Sequence, residues 1–266
     1  MEYVLIAITV LFGAGMTFFS GFGLGTLMLP VFSLFFDVPV AIGATAIVHL
    51  SNNLFKFLLV RKHIATTVYF RFGIPAMLFA IIGGYILSSF SSVDSFYSYS
   101  IGSKTFQMTY MNVIIGMLMI FFAWFDLNPK YSELKVSEKH LPLGGALSGF
   151  FGGISGHQGA FRSVFLSKSG LTKEQFVGTS NAVSLTVDIA RIPVYLGLVS
   201  VGSSKQADLA QALSDGSLLL VVGIVFAFLG TFFGKKFIHK TTIKGVQQII
   251  GVLLFLMGGM MIAGVI

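Results

Sequence analysis

Polar residues at helical spacing stand inside apolar runs twice in this sequence, and a third group gathers at a glycine-rich break. Thr45, His49, Asn52 and Lys56 share one helical face, and Asn181, Ser184, Asp188 and Arg191 share another. The stretch Ser155, Gly156, His157, Gln158, Gly159 with Arg162 brings hydroxyl, imidazole, amide and guanidinium together. That chemistry suits an oxyanion. A helix restarting at the glycines points free N–H groups and its positive dipole end at a bound anion, and Arg162 can clamp two oxygens at once. A companion break, Ser20, Gly21, Phe22, Gly23, Leu24 and Gly25, offers backbone donors of the same kind. Neither H-E-x-x-H nor G-x-S-x-G occurs. Cysteine is absent, which removes disulfides, thiolate metal sites and cysteine nucleophiles.

Each of these assignments has a plainer counterpart. Ionisable groups in a membrane span are costly and face the bundle interior, where they mark a pathway or an internal pair. Asp188 and Arg191, three residues apart, can form a structural ion pair. Lys56 can snorkel to the cytoplasmic interface near Arg61, the reading its position favours. His49 fits equally a core histidine bonded to a neighbouring helix and a proton carrier. Gly13, Gly15, Gly83, Gly84, Gly144 and Gly145 suit close helix packing.

The elements that must position these residues are set by composition. The 266 residues are 55% hydrophobic and 10% charged, and their mean hydropathy is +0.89, whereas a soluble domain carries roughly 25% charged residues. The net charge of +7 lies in short loops between apolar runs, which fits the positive-inside rule rather than nucleic-acid binding. No basic segment precedes the first apolar run, so that run is expected to stay in the mature protein. Spans are predicted at 40–60, 68–90, 110–125, 177–199, 218–233 and 245–266. The stretches 4–36 and 141–166 are each interrupted by glycines, and the arm after each break is too short to cross a bilayer. Each is predicted to be a re-entrant hairpin of half-helices, tolerated at membrane depth only where protein or a watery cavity satisfies its backbone.

The two halves repeat each other at one offset. Ser20 and Gly21 match Ser155 and Gly156, Gly43 matches Gly178, and Ile114, Ile115, Gly116 and Leu118 match Ile249, Ile250, Gly251 and Leu253. The same offset superposes Asn53 on Asp188 and Lys56 on Arg191. Hairpins also place every basic loop on one side: Arg61 to His63, Lys130 to Lys139, Lys168 with Lys173, and Lys235 to Lys244. The predicted fold is therefore an all-α polytopic membrane protein of two inverted-topology repeats, each a re-entrant helical hairpin plus three transmembrane helices. Residues 1–127 form the first repeat, 128–140 a cytoplasmic linker and 141–266 the second repeat, with both termini outside. Secondary transporters recurrently use this plan, with the site at the repeat interface near the midplane.

Ser20-Gly-Phe-Gly-Leu-Gly25, the following Leu29 and Pro30, Gly43-Ala-Thr45 and Val177-Gly-Thr-Ser180 resemble the TauE/SafE sulfite exporter family over nearly the whole chain. The family's halves each carry a glycine-rich G-x-G-x-G, a downstream Pro and a V-G-T-S segment. The resemblance implies transport of sulfite, sulfonates or related anions across the cytoplasmic membrane, and it adds Thr179 and Ser180 to the candidate substrate-binding residues. The second break departs from the pattern, with Ser155-Gly-His-Gln-Gly-Ala-Phe-Arg162 and no Pro.

The expected function is a secondary transporter for a small anion, with the lipid bilayer as its surroundings, a proton or sodium ion as coupling partner, no cofactor, and oligomerisation left open. An organic-carboxylate transporter would use the same dipoles and the same arginine. A membrane enzyme acting on lipid headgroups through His157, Asp188 and Arg162 would instead place its site at the cytoplasmic interface.

Overall fold

The computed structural model describes residues 2–20, 24–90, 95–128, 137–167, 169–196, 211, 213–237 and 243–265. Ten α-helices carry the described fold: α1 (Glu2–Ser20), α2 (Gly25–Phe32), α3 (Val38–Val60), α4 (Thr66–Phe90), α5 (Tyr110–Leu127), α6 (Leu141–Ser155), α7 (Gly159–Leu166), α8 (Lys173–Tyr195), α9 (Ser217–Phe237) and α10 (Ile243–Ile262). Local sequence sets several of their boundaries. Thr172 and Gln175 form a reciprocal capping box at the start of α8. Thr109 accepts from the Asn112 N–H to start α5. Gly156, at φ +79°, ends α6 in a left-handed conformation open to glycine at little cost.

Three segments are long and apolar enough to cross a membrane, Val40–His63, Thr66–Leu87 and Ser217–Gly234, while Glu2–Phe18, Tyr110–Phe125 and Gln248–Ile262 are apolar but shorter. The outer surface is that of a protein immersed in lipid. Phe12, Leu58, Phe70, Phe232 and Leu256 are all more than half exposed, while Asp188, Arg191, Gln158 and Asn52 are fully buried. A water-soluble fold arranges these classes the other way round.

Small residues let the helices approach closely. Gly145, Gly149 and Gly153 lie along one face of α6, and a Cβ at any of them would collide with the backbone carbonyl of Phe72, Ala76 or Ala80 on α4. On α1, Gly15 packs against the backbone of Gly230 and Gly234 of α9, and Gly116 of α5 packs against Gly258 of α10. Gly15 and Gly145 thus serve the close packing that their sequence context predicts.

The pattern of neighbours is reciprocal between the halves. Helix α4 packs on α6 and α8, as α9 packs on α1 and α3; α2 meets α10, as α7 meets α5; and α3 with α8, and α5 with α10, pair directly. The correspondence reaches individual residues. The 135-residue separation of Asn53 from Asp188 also carries Gly116 to Gly251 and Ala123 to Gly258, and Gly116 contacts Gly258 as Gly251 contacts Ala123.

One element departs from an all-helical reading. Ser95–Ile101 (β1) and Lys104–Thr109 (β2) form an antiparallel hairpin between α4 and α5. The Ile101-Gly102 corner has Gly102 at φ +62°, and the Tyr97, Tyr99 and Phe106 rings stack along the ribbon. The Tyr99 hydroxyl donates to the Ala263 carbonyl at 2.6 Å, fastening the hairpin to the end of α10.

Candidate functional site

Helices α3 and α8 pack face to face along their polar stripes. Asp188 is the hub: its Oδ1 accepts from Arg191 Nε at 3.1 Å and Nη2 at 2.9 Å, and its Oδ2 accepts from Asn53 Nδ2 at 2.8 Å. His49 Nδ1 lies 2.7 Å from the same Oδ2. A carboxylate can only accept, so this His49 nitrogen carries the proton. Asn53 Oδ1 in turn accepts from Asn181 Nδ2 at 3.2 Å. The bond between Asn53 and Asp188 joins residues 135 positions apart, the offset at which the sequence matches recur.

Arg191 also reaches the end of the broken helix. Its Nη1 donates to the Gly152 carbonyl at 2.8 Å, and the Tyr195 hydroxyl donates to the Gly153 carbonyl. The Gly152 carbonyl also accepts from the Gly156 N–H at 3.0 Å, and a cation at this end of the helix complements its dipole. The ion pair foreseen between Asp188 and Arg191 is present, and it holds the second break in place.

The two breaks converge on α3. Gly25, first residue of α2, sits where a Cβ would lie 3.4 Å from Thr45 Cγ2, 3.6 Å from His49 Cδ2 and 3.7 Å from the Gly156 carbonyl oxygen. At the second break, Ser155 Oγ donates to the Phe151 carbonyl and lies 3.0 Å from His157 Nδ1. The His157 ring stacks parallel on Phe122, centroids 5.5 Å apart. Gln158 is buried against Gly152, its backbone carbonyl accepts from Ser148 Oγ, and α7 begins at the next residue.

Among the described residues, several buried groups on α3 and at the second break have no hydrogen-bond partner: Thr45 Oγ1, Asn52 Nδ2, His157 Nε2 and both side-chain polar atoms of Gln158. Such groups cost free energy unless something occupies them. Arg162 is buried on α7, within electrostatic reach of Asp188. Among the described residues the buried charged groups are Lys56, Arg162 and Arg191 against the single carboxylate of Asp188.

Gly25, Thr45, His49, Asn181, Gly156, Asp188 and Arg191 thus meet in one contact network, and Ser155, His157, Gln158 and Arg162 surround the second break. Asn52, further along the stripe of α3 that carries Thr45, has its Oδ1 accepting from Thr231 of α9 at 2.7 Å. Thr179 Oγ1 accepts from Ala65 N–H at 2.9 Å, joining α8 to the loop before α4, and Ser180 is buried beside it. Ser20 closes α1, whereas Gly21 and Gly23 lie outside the described residues. Sequence reading passed over Tyr195, although its four-residue spacing from Arg191 marks it, and Thr231, a lone hydroxyl in an apolar run. It also sent Lys56 to the interface, whereas the structure buries it over the Phe18 ring, 5.6 Å from the centroid.

A lipid-exposed helical bundle with a buried, net-cationic polar centre at two helix breaks is the architecture of a membrane permease. The family described as sulfite exporter TauE/SafE matches residues 5–261, and the chain belongs to that family of transporters. Comparison with curated proteins gives no match, and neither does comparison with solved structures.

Proposed function

We propose that this protein is a secondary transporter that moves a small sulfur oxyanion or sulfonate, such as sulfite, across the cytoplasmic membrane, binding it between the two glycine-rich breaks. The observation that carries this reading is Lys56, a buried cation that no carboxylate faces among the described residues, together with the unpartnered polar groups of Thr45 and Gln158. Buried charge calls for a counter-charge, and a transported anion provides one. The unpartnered hydroxyl of Thr45 and the unused side-chain amide of Gln158, beside the N-terminal end of α7, supply hydrogen bonds for its oxygens.

The inverted-repeat plan accompanies this proposal. Hairpins at 4–36 and 141–166 place the basic loops in the cytoplasm and both termini outside, and the reciprocal packing of α4 on α6 and α9 on α1 supports a two-fold relation between the halves. Alternating access then takes the form of rocking around the α3/α8 contact, with a proton or sodium ion coupled to the anion. Counterflow in proteoliposomes with sulfite, a sulfonate, phosphate and a dicarboxylate tests the assignment. Sulfite or the sulfonate is expected to exchange most rapidly; preferential exchange of the dicarboxylate would reassign the substrate class, and exchange of no anion would refute the transport reading.

A further inference from the structure

Lys56 occupies, in the first half, the place that Arg191 occupies in the second. The surroundings of the two cations differ in one respect. Three residues before Arg191 stands Asp188, which pairs with it at 2.9 Å; three residues before Lys56 stands Asn53, which is neutral and already bonded to Asp188 and Asn181. Lys56 is nevertheless only 6% exposed. Among the described residues no carboxylate faces it, and its ammonium rests over the Phe18 ring near the end of α1. The Arg162 charge, from α7, acts on it unfavourably. A buried ammonium beside a second cation is costly, and the ring recovers only part of that cost.

The same face of α3 carries two more unused groups. Asn52 has its oxygen engaged by Thr231, which leaves the Nδ2 amide hydrogens unpartnered, and the Thr45 hydroxyl is unpartnered as well. Thr45, Asn52 and Lys56 follow one another at seven and four residues, so they stand on one stripe. All three can donate hydrogen bonds, which selects for an acceptor with negative charge.

We propose that Lys56 is the counter-charge of the transported anion, and that Asn52 and Lys56, one turn apart on α3, form an anion subsite in the first half where the second half carries its internal Asp188 to Arg191 pair, with Thr45 further along the same stripe toward the breaks. This assignment rests on the transport reading above and deepens it. The second half neutralises its cation with its own carboxylate, whereas the first leaves neutralisation to the substrate, so binding can be coupled to movement of α3 against α1.

The test combines sulfite counterflow with thermal unfolding of purified Lys56→Met and Lys56→Arg. Methionine keeps much of the side-chain volume and removes a buried charge that has no partner. If Lys56 serves the substrate, Lys56→Met unfolds at the wild-type temperature or above, and its half-saturating sulfite concentration rises by about tenfold or more. Lys56→Arg, which keeps the charge, stays within about threefold of the wild type. A lowered unfolding temperature for Lys56→Met would make the lysine structural and overturn the assignment. Unchanged sulfite affinity in Lys56→Met beside an active wild type would also overturn it while leaving the transport reading intact. A wild type that exchanges no anion would overturn both together.

Discussion

Asp188 is bonded on both oxygens, by Arg191 on one side and by Asn53 and His49 on the other, so removing its charge leaves Arg191 without a counter-charge and disturbs all three partners in the interior. Asp188→Asn is expected to destabilise the protein by about 3–5 kcal/mol, the range for breaking a buried pair by removing one member, seen as a lowered unfolding temperature in detergent. Arg162 lies beyond that hub on the short α7, and Arg162→Gln is expected to yield a folded protein whose sulfite-induced thermal stabilisation is weakened by about tenfold in concentration. Unaltered stabilisation would remove Arg162 from the site. The hub residues were legible in the sequence because a charged side chain in an apolar run has few roles open to it. Lys56 was misassigned for a physical reason: its closeness in sequence to Arg61 suggested the interface, and only the packing of Phe18 across it reveals burial.

At the scale of elements, glycines of two kinds look alike in sequence and separate in space. Gly156 ends a helix at positive φ, whereas Gly149 admits the α4 backbone to within contact of α6. Gly149→Val would drive its side chain into the Ala76 carbonyl, and it is expected to lower stability by about 1–3 kcal/mol or more, read by thermal unfolding. Gly259→Val, at a position where a Cβ would meet no atom within 4 Å, is expected to leave stability unchanged. The breaks themselves were legible because short apolar arms follow them. The β1/β2 hairpin was not foreseen, although its alternation of aromatic residues with serine before Ile101-Gly102 carries a strand signal. Apolar context around it drew the reading toward helices and loops, and the Tyr99 anchor to Ala263 spans a sequence distance that no local pattern encodes.

For the whole molecule, reciprocal packing between the halves gives the repeat reading a consequence for topology. The absence of cysteine makes single-cysteine labelling clean: a cysteine at Lys62 and one at Lys235 are each expected to react only with reagents that reach the cytoplasm, and one at Lys104 only from outside. Labelling of the Lys62 and Lys235 positions from opposite sides would reject the inverted arrangement. The central claim, that the anion binds where the two breaks meet, is tested most directly by labelled-sulfite counterflow through Gly25→Val in liposomes, with Gly259→Val as control. The valine at position 25 points into the space bounded by Thr45, His49 and Gly156. The account predicts loss of counterflow by Gly25→Val with unfolding temperature retained and the control fully active; wild-type exchange by Gly25→Val would contradict it.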